Sequence, residues 1–301
     1  LKLSHSSLLG LGHGVNDLFT NSLSGLLPLI TSQFGLSYFL AGVVAMVLNV
    51  TSSVMQPLFG HWFDRTRVSW LLEAGLALNC VGMSMLGFSS SFVLLLFFVG
   101  TAGLGSAIFH PPAFSAVVKS NSSSRGRDMG VFLSAGNTGL FLGPFVAGAV
   151  GTALGLRGMA MLLPLGLLVA VILLKANIRP EESEPEVVQR HRPANKRLLS
   201  MLAGITALSS VTVQSVITFL PLYFVARGES LLIATLIASI WLGVGVLGQL
   251  VGGYFSDHVG RRPVIVTSLL LGAVLFYSFL LTNGFVSLIL LALSGAALYA
   301  S

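Results

Sequence analysis

The chain has 301 residues, of which 54% are apolar and only 9% charged, and its mean hydropathy is +0.90; a soluble domain carries about 25% charged residues. So little charge cannot clothe a water-soluble surface, so lipid is the solvent and the backbone polar groups must pair within the chain. The net charge of +6 would suit a nucleic-acid binder, but the basic residues sit in short breaks between apolar stretches, and no nucleic-acid partner is expected.

In chain order, apolar spans are predicted at 5–32, 38–61, 69–88, 92–119, 128–153, 157–178, 198–225, 230–256 and 263–282, with a tenth beginning near 285. A helix needs roughly 20 residues to cross the hydrocarbon core. Runs such as Leu162 to Leu174 do not alternate apolar with polar, which excludes a β-barrel. The first span is too long and too polar in its first half for a cleavable signal peptide, so it is expected to stay as helix 1. Most of the 34 glycines fall inside the spans, as close helix packing in lipid requires. The single cysteine, Cys80, lies within a span and rules out a disulfide framework.

Basic residues set the orientation. With the N-terminus in the cytoplasm, Lys2, Arg65, Arg67, Lys119, Arg125, Arg127, Lys175, Arg179, Arg190, Arg192, Lys196, Arg197, Arg261 and Arg262 fall inside, and only Arg157 and Arg227 outside. That asymmetry is the positive-inside pattern. The segment 179–197, with four glutamates, five Lys or Arg residues and three prolines, reads as a solvated cytoplasmic linker.

Six spans precede this linker, and an internal repeat follows it at an offset of 193: Pro28 maps to Pro221, Gly35 to Gly228, Ser37 to Ser230, Gln56 to Gln249, Gly60 to Gly253 and Asp64 to Asp257. Ten of the 39 positions in 26–64 are identical, where chance gives about three. The expected organisation is an N-terminal six-helix bundle (1–178), the linker (179–197) and a second bundle (198–301) related by pseudo-symmetry and stopping within helix 10.

The repeated helix 2 to 3 loop reads Gly60-His-Trp-Phe-Asp64-Arg65-Thr-Arg67 in the first copy and Gly253-Tyr-Phe-Ser-Asp257-His-Val-Gly260-Arg261-Arg262 in the second. Glycine permits close helix approach, and the carboxylate can accept from arginine or from a helix N-terminus, forming a latch that closes one access state. In helix 5, Gly139, Gly143, Pro144 and Gly148 form a smooth face beside a proline bend. It serves equally as plain packing.

Ionisable groups inside spans cost about 2.5 kcal/mol or more unless paired or wetted, which makes function their default reading. His13 and Asp17 in helix 1 are four apart and share a face, with Asn16 beside them; His110 in helix 4 precedes Pro111 and Pro112. A carboxylate next to an imidazole can exchange a proton near neutral pH, so His13 and Asp17 are the expected proton-coupling site. Gln56, Asn137 and Gln214, with Asn16 and His110, are expected to line a substrate cavity. Glu73 and Asp128 lie near helix starts and are expected to stabilise those ends.

The duplicated loops resemble the GxxxDxxGRR signature of the major facilitator superfamily, and Gly139 to Gly148 resembles the GxxxGP signature of its antiporter branches. Together with Leu11-Gly-His13-Gly-Val-Asn16-Asp17, Gln56-Pro57, Gly103-Leu-Gly105-Ser-Ala-Ile-Phe109-His110-Pro111 and Gly136-Asn137, these motifs look like the fosmidomycin-resistance branch. The resemblance implies two six-helix bundles around a central cavity, in an inner-membrane, proton-driven exporter of a small anionic or drug-like compound, with protons as coupling ion and no other cofactor. Two positions depart from it: Pro112 replaces an acidic residue after the His-Pro pair, and Val99 replaces the helix 4 arginine of many drug antiporters. An importer of an organic anion or nutrient with the same fold is the alternative. An intramembrane enzyme or metal site built on His13, Asp17 and His110 is disfavoured, because no metal-ligand cluster of the HExxH kind is present. The partners expected are a small-molecule substrate and the bilayer; no oligomeric partner is read from the sequence.

Overall fold

The computed structural model describes residues 4–66, 68, 70–119, 125–178 and 196–300. Most of the linker (179–195), Arg67 and Lys2 lie outside the described residues. Among the described residues the chain is helical throughout its ordered elements: α1 (His5–Phe34), α2 (Tyr38–Thr66), α3 (Leu71–Phe88), α4 (Phe92–Val118), α5 (Arg125–Leu154), α6 (Leu156–Ala176), α7 (Lys196–Ala226), α8 (Leu231–Val259), α9 (Arg261–Leu281) and α10 (Gly284–Tyr299). The ten helices coincide with the ten predicted spans to within a few residues. Eight of them, α2 to α9, are long and apolar enough to cross a membrane. At 30 residues α1 is long enough as well, but it carries polar residues, of which His13 and Asn16 are turned into the protein.

Local chemistry sets the helix ends. Ser4, Ser37 and Ser91 cap α1, α2 and α4, each accepting from the backbone N–H three residues on at 3.2 to 3.3 Å. α1 stops at Gly35, whose φ of 61° is open to glycine at little cost. α2 departs from the uninterrupted helix expected: Val50–Val54 form a π-helical turn before α-helix resumes at Gln56. Pro57 supplies the reason, because it has no N–H and its ring displaces the carbonyl four residues back. The widened turn is seated on α4, where Thr51 lies directly over Gly103.

By contact the chain forms two compact units, Leu1–Ser183 with Pro221–Leu236, and Glu184–Leu220 with Ile237–Ser301. Segment 221–236 joins the first unit because α8 begins against the small residues of α5, with Leu231 at Gly151 and Thr235 at Gly148. In the first unit α1 packs most extensively on α5. The two helices approach almost backbone to backbone: a β-carbon on Gly139 would strike the Gly14 carbonyl, and one on Gly143 would lie 2.8 Å from the Leu18 carbonyl. α3 and α4 meet in the same way through Gly75, Gly82 and Gly105. Phe19, Leu26, Leu76, Phe109 and Phe132 fill the core. The outer surface is apolar too, with Phe39 78% and Val93 76% exposed, as lipid-facing side chains are. In the second unit, Gly248 and Gly252 of α8 lie against Ala296 and Ala300, and Trp241 donates to Ser294 Oγ at 3.2 Å.

The glycine contacts separate packing positions from open ones. Gly139→Val is expected to destabilise the protein by about 1–3 kcal/mol or more through overpacking, read as a lower apparent Tm in detergent. Gly130→Ala, which meets nothing within 4 Å, should leave the Tm unchanged or slightly higher.

Candidate functional site

Four helices of the first unit bring polar groups to one place. α1 contributes His13, Asn16 and Asp17, which share a face at helical spacing; α4 contributes Ser106 and His110, also four apart; α3 contributes Asn79; α5 contributes the Phe132 carbonyl. Asp17 stands between the two imidazoles. Its Oδ2 is 3.3 Å from His13 Nε2, and its Oδ1 is 3.5 Å from His110 Nε2. The His13 side chain is 7% accessible, while Asp17 and His110 keep 19% and 17%, so the cluster is enclosed on the His13 side and open on the other.

The remaining ring nitrogens are committed to the backbone. His13 Nδ1 lies 2.9 Å from the Phe132 carbonyl, and His110 Nδ1 lies 2.8 Å from the Ser106 carbonyl. A carbonyl can only accept, so each Nδ1 carries a hydrogen and donates it. Each Nε2, facing Asp17, is therefore the atom that varies: a lone pair in the neutral ring, a donor in the imidazolium. The bonds fix tautomer and direction together.

Asp17 is held in turn. Asn16 donates through Nδ2 to Asp17 Oδ1 at 3.0 Å and to Ser106 Oγ at 3.1 Å. Beneath it, Asn79 Nδ2 lies 2.9 Å from the Asn16 carbonyl, from Asn16 Oδ1 and from Thr20 Oγ1. Asn16 and Asn79 are fully buried. Aromatic rings form the walls: Phe132 stacks on His13 with centroids 4.2 Å apart, and Phe114 stacks on His110 at 6.3 Å. Apolar walls of this kind keep the local dielectric low and strengthen each polar contact inside. Gly136 is required here because a β-carbon would stand on the His13 ring.

The predicted residues divide into those that meet and those that do not. His13, Asn16, Asp17 and His110 form one cluster. Among the described residues, no hydrogen bond joins Gln56 or Asn137 to it; Gln214 belongs to the second unit, and all three are half-buried. Gln56 opens the second segment of α2 after the π turn. Gly139, Gly143 and Pro144 lie against α1, where the Pro144 carbonyl faces Gly25, and Gly148 meets Thr235. In the loops, Asp64, Arg65, Asp257, Arg261 and Arg262 are exposed, and among the described residues no ion pair closes the expected latch. Gly60 faces Pro111, with a β-carbon position 3.7 Å from the proline ring; Gly253 faces open space, and the close approach is made one residue earlier, at Gly252. Glu73 and Asp128 sit in the first turns of α3 and α5, both buried.

Asn79 and Ser106 were not among the predicted site residues. The available signal was an amide in the middle of an otherwise apolar span and a serine four residues before His110. The meeting of His13, Asp17 and His110 within 4.8 Å of one another likewise escapes a search for local metal-ligand spacing, since the third group arrives on another helix. An apolar groove of about 670 Å³ lies within the second unit, among α8, α9 and α10, but no titratable side chain lines it, and converging polar groups are what mark a binding site.

Paired titratable groups inside a polytopic helical fold mark a functional site within the membrane. The chain belongs to the Major Facilitator Superfamily, whose family model matches residues 9–301. It is 26% identical over 272 residues to the fosmidomycin resistance protein of Escherichia coli (strain K12), covering 87% of this chain and 67% of that protein. It is also 26% identical over 283 residues to an uncharacterised MFS-type transporter of Bacillus subtilis (strain 168), covering 88% of this chain and 68% of the relative. Among solved structures it is similar to a bacterial homologue of the human lysosomal transporter Spinster in an inward-facing, occupied conformation, with a TM-score of 0.83 at 19% identity over 97% of this chain and 71% of that one. The nucleoside transporter NupG gives a TM-score of 0.79 at 14% identity, over 99% and 79%.

The amide beneath the site is testable by stability. Asn79→Ala leaves buried acceptors of Asn16 without their donor and should cost about 1–3 kcal/mol, seen as a lower Tm in detergent. Thr138→Ala, on an exposed part of α5, should not shift it.

Proposed function

We propose that this chain is the transporting part of a proton-coupled antiporter that exports a small drug-like or anionic compound by alternating access. The observation that carries the reading is the half-buried His13–Asp17–His110 cluster. Each histidine can gain or lose a proton only at the nitrogen that faces Asp17, so the cluster steps from a net charge of −1 with both rings neutral, through 0, to +1. In an apolar setting such steps are costly unless a conformational change or a bound ion compensates them, and that is how proton occupancy is tied to the direction the transporter faces. Asp17 and His110, on the open side, are the members placed to exchange protons with water.

The similarity to a fosmidomycin resistance protein supports export and makes fosmidomycin the first compound to test. The Gly139, Gly143 and Pro144 face supports antiport by letting α5 lie against α1 next to the titrating pair. In this reading the protein sits in the inner membrane with its N-terminus and linker (179–197) in the cytoplasm, and the bundles are 1–178 and the portion from 198. Asp64 and Asp257, with Arg65, Arg261 and Arg262, act as the cytoplasmic latch. Gln56, Asn137 and Gln214 serve the substrate path.

The experiment is transport by the intact protein in proteoliposomes under an imposed pH gradient. Labelled fosmidomycin should accumulate in vesicles with an acidic lumen, moving against the proton flow. Asp17→Asn should lower gradient-driven accumulation at least tenfold while preserving exchange at equal pH. Movement of the compound with the protons would make the protein an importer, and undiminished gradient-driven transport by Asp17→Asn would remove Asp17 from coupling.

A further inference from the structure

The same three side chains have the arrangement of a transition-metal site, and this goes beyond the proton reading because it does not need the cluster to move protons. We propose that His13 Nε2, an Asp17 carboxylate oxygen and His110 Nε2 bind one divalent cation of the zinc class.

The Nδ1 hydrogens determine which atoms are left to bind a cation. Both rings donate through Nδ1 to backbone carbonyls, at 2.9 Å to Phe132 and 2.8 Å to Ser106, so in the neutral state two Nε2 lone pairs and a carboxylate converge on one point. Three electron-rich atoms aimed at each other form a receptor for a cation. Separation is the second step. Tetrahedral bonds of about 2.0–2.1 Å place neighbouring ligand atoms roughly 3.3 Å apart. His13 Nε2 lies 3.3 Å from Asp17 Oδ2 and His110 Nε2 lies 3.5 Å from Asp17 Oδ1, one oxygen to each ring, and one ligand atom from each of the three residues lies within 4.8 Å of the others. Closing the His–His side by a modest movement of one ring completes the triangle.

Support around the ligands is the third step. Metal-binding histidines characteristically donate their other ring N–H to a carbonyl or carboxylate, and ligating carboxylates are themselves hydrogen-bonded. Both histidines here do so, and Asp17 Oδ1 accepts from Asn16 Nδ2 at 3.0 Å. The Phe132 stack and Gly136 fix the His13 ring further. Two imidazoles with one carboxylate select zinc, cobalt or nickel over magnesium and calcium, which take oxygen ligands. The partial exposure of Asp17 and His110 gives the ion an entry path and leaves a fourth coordination position for water.

Cobalt(II) is the probe, added to the intact, tag-free protein in detergent. The expected result is one ion per chain with the intense visible absorption of a four-coordinate site, displaced by one equivalent of zinc. His13→Ala, Asp17→Asn and His110→Gln should each weaken binding at least tenfold, and His5→Ala, at an exposed position, should not. Because a variant can misfold, X-ray absorption of the zinc-loaded wild type gives an independent reading, with two imidazoles and one carboxylate in the inner sphere expected. No stoichiometric binding by the wild type, or a spectrum unchanged in all three variants, overturns the proposal. Binding is read without transport, so loss of the proton mechanism and loss of the metal site are separate results.

Discussion

His13 and His110 each tie one ring nitrogen to a backbone carbonyl, and the remaining geometry of the cluster follows from those two bonds. A carbonyl accepts and never donates, so the other nitrogen of each ring is left to face Asp17 as either a lone pair or a donor. Asp17 is thereby placed between two groups whose charge depends on one proton apiece, inside walls made by Phe109, Phe114 and Phe132. The Ser106 carbonyl lies on His110's own helix, whereas the Phe132 carbonyl could not be reached if α1 and α5 stood farther apart. α5 presents the Phe132 carbonyl to α1 only because Gly14, Gly136 and Gly139 let the two backbones close, with Gly136 vacating the volume that the His13 ring fills. The glycine content and the titratable cluster are two aspects of one constraint.

Signals that act over a few residues were legible in the sequence. The ten spans follow from hydropathy, and the sharing of one face by His13 and Asp17 follows from a spacing of four. The link from Asp17 to His110 was not legible, because it depends on how α4 is rotated against α1, and rotation is set by small residues on both helices that no single-helix pattern encodes. Asn79 was hidden for the same reason: one amide in an apolar span has no spacing to read, and its role appears only when α3 places it under Asn16. The break in α2 was partly visible in Pro57, but a proline alone does not distinguish a kink from a π turn; the seat on Gly100 and Gly103 of α4 accommodates the latter.

The repeat is most informative at the corner between its first two helices. At Gly35 and Gly228 the backbone turns with φ of 61° and 93°. The next residue in each copy donates back five positions, Leu36 N–H to Thr31 at 3.0 Å and Glu229 N–H to Phe224 at 3.1 Å. Ser37 and Ser230 then accept from Leu40 and Ile233, both at 3.3 Å. Every one of these pairs is related by the offset of 193. The identities that survive between the copies here are those the backbone requires, since a left-handed turn excludes most side chains and a helix start needs a cap.

Beyond that corner, in the first copy, Gly60 seats α2 against Pro111, the residue after His110. In the first copy the exposed Asp64–Arg65 loop is thus one helix contact away from the ring that faces Asp17. The π turn lies between that loop and the rest of α2, so the lower segment, from Gln56, has a natural point about which to shift on α4. A displacement of that segment bears first on the Pro111–Pro112 step, where the helix lacks two backbone N–H donors and resists bending least. His110 stands at the start of that step, while His13 is stacked and enclosed. Of the two imidazoles beside Asp17, His110 is therefore the one whose distance to the carboxylate a loop movement can change.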